Sequence, residues 1–516
     1  MPDRTSKVPH FQFAGTLDEQ EQQLARDPLI KRFAASRAKL SSDRHRPAYH
    51  YVNPEGTLND PNGLCFWQGR WHLFYQGFPP EDTRQHWGHA VSDDLIHWRD
   101  LPYAIYPDPE RCCFSGATLV EEDRVIAMYH GTEVGNMVAV SDDPLLLNWH
   151  KLTGRPVIPV LNPDGSKPPY RVFDPCIWKK GDHYYSLSGG TLPTGPGGKI
   201  RRANFLFRSA DLETWEYLHP FIEDDHYTMV GDDGACPYFW PIGDRHILLF
   251  FSHISGGQYL LGDYDEGRDK FVVTNHWKAN FGPWGPSGVH APSATPDGEG
   301  GVIAIYNMNS GKPAEGWNQI MTLPRRMTLC GRDEIGIEPA GAIGSLRGEH
   351  QHFESFELPA NQEVVLDSVR GDAIELRVEI EPGPVPMVEL NVFRSGDGAE
   401  VTRIQFFRDR GYLNRGQREG PTQSFVSIDT SRSSLSPDAM SRAAETAPVT
   451  VEPDEALDLR VFLDRSVIEV FVNGRVWLAV RVYPSLTDSQ GVSLYSRGGS
   501  SRVKALDCWQ LKSIYG

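Results

Sequence analysis

The sequence lacks the features that would place the chain in a membrane or on a nucleic acid. No segment offers about 18 consecutive apolar residues, and the first residues, MPDRTSKVPHFQF, contain no apolar stretch of the kind a signal peptide needs. The 51 Lys and Arg residues are outnumbered by 68 Asp and Glu, which gives a net charge of −17. Nucleic acids and anionic membranes bind basic surfaces. We therefore expect a cytoplasmic protein with no nucleic-acid and no membrane partner.

The cysteines lack a pairing pattern. Seven are present, an odd number, and no two form a Cys-x-x-Cys motif of the kind that binds zinc or carries out redox chemistry. Reduced thiols in a cytoplasm fit this usage best.

Helical periodicity is scarce in a chain that is long enough for two domains. A length of 516 residues exceeds what one hydrophobic core usually organises. Residues 17–40, LDEQEQQLARDPLIKRFAASRAKL, form the one convincing helical stretch, which Pro28 interrupts. We interpret residues 1–45 as a partly helical N-terminal attachment.

The rest of the chain is rich in residues typical of short strands and turns. It contains 49 Gly, 39 Pro and 11% aromatic residues. A weak repeat joins Ser and Asp to a closing Trp, as SDDLIHW (92–98), SDDPLLLNW (141–149) and SADLETW (209–215). The repeated segments begin roughly 50–70 residues apart. A unit of that length, repeated across about 300 residues, predicts a five-bladed β-propeller over residues 46–345.

The last third of the chain has a different pattern. Longer runs such as AIELRVEI and VIEVFVN alternate apolar and polar residues, which is typical of half-buried strands. They predict a C-terminal β-sandwich over residues 346–516, in which residues 430–455 form a long surface loop. The predicted fold is therefore all-β: a five-bladed β-propeller followed by a β-sandwich, with a short helical N-terminal attachment.

Acidic residues in three turn-like or apolar segments are candidates for chemistry. They are Asp60 in NDPNG, Asp174 in VFDPCIW, and Asp232 with Asp233 in GDDGACP. The inner strands of a propeller converge on a central pocket, so acids that are far apart in sequence can meet there. Facing carboxylates are what glycoside cleavage requires. The alternative is that each Asp only forms a turn, because Asp and Gly favour turns.

Several of these motifs, in this order and spacing, resemble glycoside hydrolase family 32, the invertase, inulinase and levanase group. The most specific is HYVNPEGTLNDPNG, and it is followed by FYQ, HWGHAVSDDLIHW, FSG and an Asp-Pro after an aromatic strand. HAPSATPD resembles that family's last blade, and DLRVFLDRSVIEVFVNGRVWLAVRVYP resembles its C-terminal sandwich. The resemblance covers about residues 46–516.

The resemblance implies a retaining β-fructofuranosidase that acts on sucrose or on fructans of the inulin or levan type. Asp60 matches the nucleophile that forms a covalent fructosyl-enzyme, and Asp174 matches the transition-state stabiliser. The family implies no metal and no cofactor. The positions that match the lining of the fructose pocket are Asn59, Asn62, Gln76, Trp87, Phe114 and Ser115.

The chain departs from the family pattern at two positions. Phe173 stands where the family has Arg before Asp-Pro, and Arg171 is a candidate substitute for the missing cation. Ala235 stands where the family has its acid/base Glu before Cys-Pro. In an extended chain Asp233 points to the same face as Ala235, and Asp232 does so if Gly234 permits a bulge.

Three interpretations of Ala235 remain open. Asp232 or Asp233 supplies the acid, or the chain is an impaired enzyme that still binds its substrate, or it is a sugar-binding propeller without turnover. A fructosyltransferase on the same scaffold is a further alternative. The sandwich is a candidate surface for homodimer formation.

Overall fold

The computed structural model is all-β, as predicted from the sequence. Two α-helices occur in the part of the chain that it describes, and neither they nor any other described helix is long and apolar enough to cross a membrane. The described residues are 4–192, 196–223, 229, 231–381, 383, 385–411, 422–452 and 455–515.

The N-terminal attachment contains both helices, α1 (Leu17–Leu24) and α2 (Pro28–Leu40). The Asp27 carboxylate accepts hydrogen bonds from the amides of Leu29 and Ile30, which caps α2, and Pro28 fits the first turn because no N–H is needed there. The predicted helical stretch is therefore two helices that separate just before Pro28.

Five sheets, antiparallel except for one short strand pair, follow in chain order, and we name them sheets I to V. Sheets I to III consist of β1 (Thr57–Trp67), β2 (Arg70–Phe78), β3 (His86–Ser92) and β4 (Arg99–Ile105); β5 (Cys113–Val120), β6 (Val125–Gly131), β7 (Gly135–Ser141), β8 (His150–Lys151) and β9 (Ile158–Pro159); and β10 (Pro175–Lys180), β11 (His183–Ser188), β14 (Phe205–Ser209) and β15 (Glu216–Pro220), beside the small pair β12 (Thr191–Leu192) and β13 (Arg201–Arg202).

Sheets IV and V complete this part of the chain. Their strands are β16 (Ile222–Glu223), β17 (Ala235–Ile242), β18 (Arg245–Ser252), β19 (Gly256–Asp265) and β20 (Lys270–Lys278); and β21 (Val289–Pro296), β22 (Val302–Met308), β23 (Ile320–Met321), β24 (Arg325–Gly331) and β25 (Glu334–Pro339). The short β16 pairs in parallel with β20, and the other pairings within these two sheets are antiparallel.

One strand from each of these sheets lies at the centre of the five. The strands β1, β5, β10, β17 and β21 contact one another in cyclic order, so that β1 touches both β5 and β21. The strands β5, β10, β17 and β21 are almost wholly buried along their first residues, and β1 is mostly buried from Leu58 onwards. Residues that begin these strands are therefore brought together although they are far apart in sequence.

The pairing of four central strands is irregular close to their starts. Register shifts occur between Leu58 and Pro61, Cys113 and Gly116, Ala235 and Tyr238, and Val289 and Pro292. An irregularity of this kind frees a residue from the ladder and re-aims its side chain. The candidate residues of the N-D-P, F-S-G and A-C-P motifs lie at three of these four places.

The Ser–Asp–Trp repeat corresponds to one recurring turn. Ser92, Ser141 and Ser209 each end the third strand of sheets I, II and III. The following carboxylates, those of Asp94, Asp143 and Asp211, accept hydrogen bonds from backbone amides two to five residues further on. The repeat therefore marks the turn to the next strand, β4, β8 or β15.

Two further sheets, VI and VII, form the C-terminal part. Sheet VI contains β26 (Arg347–Phe353), β27 (Phe356–Leu358), β29 (Ala373–Glu381), β34 (Leu457–Asp464), β35 (Val467–Val472), β36 (Val476–Arg481) and β38 (Ser501–Leu511), and sheet VII contains β28 (Glu363–Arg370), β30 (Met387–Arg394), β31 (Thr402–Phe407), β32 (Thr422–Asp429), β33 (Glu445–Val451) and β37 (Gly491–Arg497). One apolar cluster takes aliphatic side chains from both sheets.

The predicted surface loop over residues 430–455 is wrong in part, because Glu445–Val451 forms β33. Alternate residues of this strand are buried, and it is the edge strand of sheet VII, where Pro448 is tolerated. Residues 453–454 of the predicted loop lie outside the described residues.

A buried ionic cluster joins the C-terminal part to the start of sheet I. The imidazole of His50 lies 2.8 Å from Asp464 Oδ2 and 3.0 Å from Glu469 Oε1, and all three side chains are fully buried. Asp464 also accepts hydrogen bonds from the backbone amides of Ala48, Tyr49 and His50. Burial opposes the charged imidazole, but the two carboxylates outweigh it and raise the pKa of His50 to about 9.

Candidate active site

Asp60 lies at the irregular start of β1. It belongs to a hydrogen-bonded group with Asn59 of β1, Gln76 of β2 and Ser115 of β5. Its Oδ2 accepts hydrogen bonds from Ser115 Oγ at 2.7 Å and from Gln76 Nε2 at 3.2 Å. Gln76 Nε2 also donates to Ser115 Oγ at 2.8 Å, and Gln76 Oε1 accepts from Asn59 Nδ2 at 3.0 Å. Asn59, Asp60, Gln76 and Ser115, all predicted from the motifs, thus form one connected set.

The last of the five sheets completes the surroundings of Asp60. His290, on β21, places Nδ1 3.0 Å from Asp60 Oδ1. Burial acts to raise the pKa of Asp60, but the charge and hydrogen bond of His290, together with hydrogen bonds from Ser115 and Cys236, outweigh burial and leave the pKa below its usual value. Asp60 is therefore held as a carboxylate.

Asp174 immediately precedes β10 and faces the same space. Its Oδ2 accepts a hydrogen bond from the backbone amide of Cys236 at 3.2 Å. The Cys236 thiol lies 3.5 Å from Asp174 Oδ2 and 3.6 Å from Asp60 Oδ2, so one sulfur atom touches both carboxylates. Burial, and after it the negative charge of Asp60, raises the pKa of Asp174 to about 7.

Cys236 reaches both carboxylates because of the irregularity in β17. Its φ is +49°, in the left-handed region that residues with a Cβ seldom adopt. This conformation turns both its amide and its thiol towards Asp174. Burial, followed by the charges of Asp60 and Asp174, holds the pKa of the thiol well above its usual value, so the sulfur stays neutral.

The two acids of GDDGACP have different environments. Asp232 is fully buried, and its carboxylate accepts hydrogen bonds from Ser252 Oγ at 2.5 Å, Ser255 Oγ at 2.6 Å and the Met229 amide at 2.8 Å. Asp233 is partly exposed, and its Oδ2 lies 2.6 Å from His253 Nδ1. The contacts of Asp232 are those of a turn residue, while Asp233 belongs to an ion pair.

Ala235 lies in an apolar group beside the carboxylates. It packs with Cys236, Phe251 and Ala291, against Phe173. The methyl group of Ala235 thus contributes no polar atom beside the carboxylates.

The predicted aromatic residues lie at two depths. Trp87 is fully buried in the core shared by sheets I and II, and its Nε1 donates to Phe114 O at 2.9 Å. Asn62 is also fully buried, with 3.3 Å between its side-chain amide and Trp87 Nε1. Phe114 and Phe173 are half-buried and flank His130, at ring-centre distances of 6.2 and 5.4 Å. Trp87 and Asn62 therefore support the pocket from beneath.

Arg171, the candidate substitute for the family's arginine, lies apart from the two carboxylates. Its side chain is exposed, and within the described ranges no hydrogen bond or ion pair connects it to Asp60 or Asp174. Its carbonyl instead accepts a hydrogen bond from Ser188 Oγ at 3.4 Å.

Sequence reasoning missed residues that act from neighbouring strands. His290 opens HAPSATPD, a segment that we noted only as a whole, and Gln319 Nε2 donates to Asn59 Oδ1 at 3.1 Å. His253 follows β18 directly and carried no motif of its own. The signal available for His290 was its place at the start of a central strand.

The groups brought together suit reactions at an electron-poor carbon. An ionised carboxylate, a second carboxyl that titrates near neutrality, amide and hydroxyl donors and nearby imidazoles can attack, stabilise positive charge and move protons. Within the described ranges no group of three or more His, Cys, Asp or Glu is placed to hold a metal ion.

Comparison with known proteins gives relatives along nearly the whole chain. The family model for the glycosyl hydrolases family 32 N-terminal domain matches residues 50–339, and the model for the family 32 C terminal matches residues 342–510. A levanase of Bacillus subtilis is 26% identical over 95% of this chain and 74% of its own length. A sucrose-6-phosphate hydrolase of Vibrio alginolyticus is 26% identical over 84% of this chain and 85% of its own length.

Solved structures share the fold. Fructan 1-exohydrolase IIa from Cichorium intybus superposes with a TM-score of 0.80 at 21% identity, covering 91% of this chain and 98% of its own. A β-fructofuranosidase from Bombyx mori gives a TM-score of 0.71 at 24% identity, covering 95% and 99%. The resemblance drawn from the sequence motifs is thus confirmed, and the chain belongs to family 32 of the glycosyl hydrolases.

Proposed function

We propose that the protein is a retaining β-fructofuranosidase that releases fructose from sucrose or fructans. The observation that carries this proposal is the contact of one thiol, that of Cys236, with both Asp60 and Asp174. It means that two carboxyl groups from different sheets border one small space. Relatives of the chain are named levanase, sucrose-6-phosphate hydrolase and fructan β-fructosidase, which supports a fructosyl substrate.

Asp60 is the nucleophile in this proposal. Its lowered pKa keeps it ionised. Hydrogen bonds from Ser115 and Gln76 hold Oδ2, and His290 Nδ1 lies 3.0 Å from Oδ1, so the attacking carboxylate is fixed on both sides. Attack gives a covalent fructosyl ester, and water then opens it with overall retention of configuration.

Asp174 stabilises the transition state. Its Oδ1 is buried and has no hydrogen-bond partner among the described residues, so it is available to a sugar hydroxyl. A carboxylate held beside the ring favours the positive charge that develops as the glycosidic bond breaks. Asn59, Gln76 and the half-buried rings of Phe114 and Phe173 orient the sugar from the sides of the pocket.

Asp233 belongs to the acid/base group that replaces the family's missing Glu. It lies two residues before Ala235 and is partly exposed, so a substrate can approach its ion pair. Asp232 is left out of the catalytic set, because three hydrogen bonds already occupy its carboxylate.

We also infer that sheets I to V are the blades of a five-bladed propeller, and that sheets VI and VII are a β-sandwich. The cyclic contacts of the central strands and the apolar cluster shared by the last two sheets support this architecture. The domain boundary predicted after residue 345 falls between the last strand of sheet V and the first strand of sheet VI.

The decisive experiment measures fructose release from sucrose, inulin and levan by the protein and by Asp60→Asn. We expect turnover by the protein and a loss of about 10⁴-fold or more in the variant, because the bond-forming carboxylate is gone. The matched control is Asp123→Asn, an exposed acid in the turn between β5 and β6, which leaves the rate unchanged.

An inactive parent protein, or turnover that persists in Asp60→Asn, contradicts the assignment. The products at high sucrose concentration separate two reactions of the same ester: free fructose identifies hydrolysis, and fructosyl oligosaccharides identify transfer.

A further inference from the structure

A histidine stands close to the position where the family places its acid/base carboxyl. Ala235, at that position, pairs across the sheet with Phe251 of β18, and His253 follows two residues after Phe251. The Phe251 ring contacts His253 at a ring-centre distance of 5.2 Å and His290 at 4.2 Å, and His290 touches Asp60. The Phe251 ring therefore lies between His253 and His290, the histidine that contacts Asp60.

The side chain of His253 has a fixed orientation and an open end. Asp233 Oδ2 lies 2.6 Å from its Nδ1, and Asp233 Oδ1 accepts a hydrogen bond from its backbone amide at 3.4 Å. Half of the side chain is exposed, and for Nε2 no hydrogen-bond partner occurs in the described part of the chain. A carboxylate on Nδ1 makes Nε2 the nitrogen that exchanges protons with a ligand.

The carboxylates that face His253 favour its protonated form. The hydrogen bond to Asp233 raises the pKa of His253, burial opposes this, and the negative charges of Asp233, Asp174 and Asp60 raise it further. In return His253 acts to lower the pKa of Asp174, although burial and Asp60 dominate there. The three acids and the imidazole thus lie within electrostatic reach of one another.

From this geometry we infer that His253, oriented by Asp233, is the general acid and base that replaces the missing Glu. The inference rests on the proposed function and deepens it. Asp233 is a positioning residue in this scheme, since it acts through the imidazole, which is the more basic partner and holds the shared proton.

The two chemical steps balance with His253 as the proton carrier. In the first, Asp60 forms a bond to the anomeric carbon as the glycosidic C–O bond breaks, and the imidazolium gives its Nε2 proton to the departing oxygen. A neutral imidazole and a free alcohol result. In the second, Nε2 takes a proton from water as the water oxygen attacks the anomeric carbon, and Asp60 leaves as a carboxylate.

The leaving group distinguishes proton donation from a structural role. We compare His253→Gln on sucrose and on a nitrophenyl β-fructofuranoside, whose leaving group departs without protonation. We expect kcat/KM for sucrose to fall by about 10²–10⁴-fold and kcat/KM for the nitrophenyl substrate to fall by less than about tenfold. Equal losses on both substrates would overturn the inference.

A second His–Asp pair provides a matched control. His97 Nδ1 lies 2.8 Å from Asp94 Oδ2, and the exposed fractions of the two side chains, 48% and 28%, resemble the 54% and 25% of His253 and Asp233. His97→Gln should leave both kcat/KM values unchanged. A His253→Gln variant that equals this control on sucrose contradicts the inference.

The pH profile tests the same point with His253 retained. An imidazolium donor is present below its pKa, so kcat/KM for sucrose falls as pH rises through that value. Asp233→Asn removes the main cause of the raised pKa, and the alkaline limb should move to lower pH. An unmoved limb counts against His253.

The failure of the inference differs from the failure of the proposed function. A parent protein that cleaves neither sucrose nor the nitrophenyl substrate refutes the proposed function itself. A parent that cleaves both, with a His253→Gln variant like its control, leaves the fructosidase intact and removes only His253 from the mechanism.

Discussion

At the residue scale, the two buried carboxyl groups of the pocket differ in ionisation because their neighbours differ. Asp60 faces His290 and accepts hydrogen bonds from Ser115 and Gln76, whereas Asp174 faces the negative charge of Asp60 and accepts from Cys236. Like charges in one site push their pKa values apart. The pair therefore contains one carboxyl whose pKa lies below its usual value and one whose pKa is about 7, as the proposed nucleophile and stabiliser require.

Asp174→Asn should stabilise the fold and abolish efficient turnover. The folded-state pKa of Asp174 is raised to about 7, above its unfolded value of about 4, so ionisation of Asp174 destabilises the folded protein. This cost is complete above about pH 7 and shrinks as pH falls from there towards about 4. Asn keeps an oxygen for the Cys236 amide and carries no charge. We expect a free-energy gain on the order of 2 kcal/mol at pH 8 and little at pH 5.

Thermal unfolding of both proteins at pH 5 and pH 8 checks this. The melting temperature of the variant should exceed that of the parent at pH 8, with a smaller difference at pH 5. A variant that is less stable at pH 8 would contradict the raised pKa.

Single residues of the site were predictable only where a motif carried them. NDPNG and FDP indicated Asp60 and Asp174, whose environments fit their assigned roles. His290, Cys236 and His253 act through contacts across strands, which depend on the register and on the irregularities at the strand starts. Neither can be obtained from one sequence without knowing which strands are neighbours.

At the element scale, the two adjacent carboxylates of the turn before β17, Asp232 and Asp233, make different contacts. Asp232 connects this turn to the end of β18 and to the turn after it, through the hydroxyls of Ser252 and Ser255. Asp233, the next residue, is thereby held where it meets His253. Of the two adjacent carboxylates, Asp232 thus fixes the turn and Asp233 contacts the histidine that we propose as the acid and base.

Asp232→Ala should cost about 2–4 kcal/mol of stability, because it leaves buried hydroxyl and amide groups without their charged acceptor. Turnover should also fall, since Asp233 and His253 lose their fixed position. Asp233→Ala, at a partly exposed site, should lower turnover with little loss of stability. Thermal unfolding combined with fructose release separates the two effects.

Asp211→Ala is the control for turn formation in general. Asp211 caps an exposed turn through the amides of Glu213 and Thr214, and its loss should cost about 1 kcal/mol. If Asp232→Ala is no more destabilising than this control, the buried anchor is not what fixes the turn.

Elements with a local signal were predictable, and elements defined by distant partners were not. The Ser–Asp–Trp repeat indicated a recurring unit because the Asp side chain caps its own turn. The strand Glu445–Val451 falls in the predicted loop, because the segment 430–455 as a whole lacks a strand pattern. Its Pro448 is compatible with a strand only at the edge of a sheet. Whether a strand lies at an edge depends on the order of all strands in the sheet, and the local sequence does not determine that order.

At the scale of the whole molecule, the buried His50 cluster connects the two parts of the chain. Asp464 and Glu469 belong to sheet VI, whereas His50 precedes sheet I. The Leu323 amide that donates to Glu469 lies between β23 and β24 of sheet V. Removing either partner of so deeply buried an ion pair is strongly destabilising, because the other charge is then left uncompensated. Deprotonation of His50 would therefore remove the charge that both buried carboxylates face across the two parts of the chain.

His50→Gln should destabilise the protein in a pH-dependent way. The folded-state pKa of His50 is about 9, above its unfolded value near 6.5, so its stabilising effect is complete below about pH 6.5 and is lost as pH rises through about 9. We expect a loss on the order of 2–3 kcal/mol at pH 6 and a smaller loss at pH 9.5.

Melting temperatures of the parent and the variant at both pH values test this. His183→Gln, an exposed histidine at the start of β11, is the control and should show no difference at either pH. A loss for His50→Gln that does not change with pH would refute the charged imidazole.

The cyclic contact of β1 with β21 has a consequence for the time course of folding. Asp60 lies on the first of the five sheets, yet its partner His290 belongs to the fifth, about 230 residues further along the chain. Contacts between such distant segments form late, because a long loop must close first. A chain with only the first four sheets formed lacks the contact between His290 and Asp60, so the surroundings of Asp60 are completed only when the fifth sheet docks against the first.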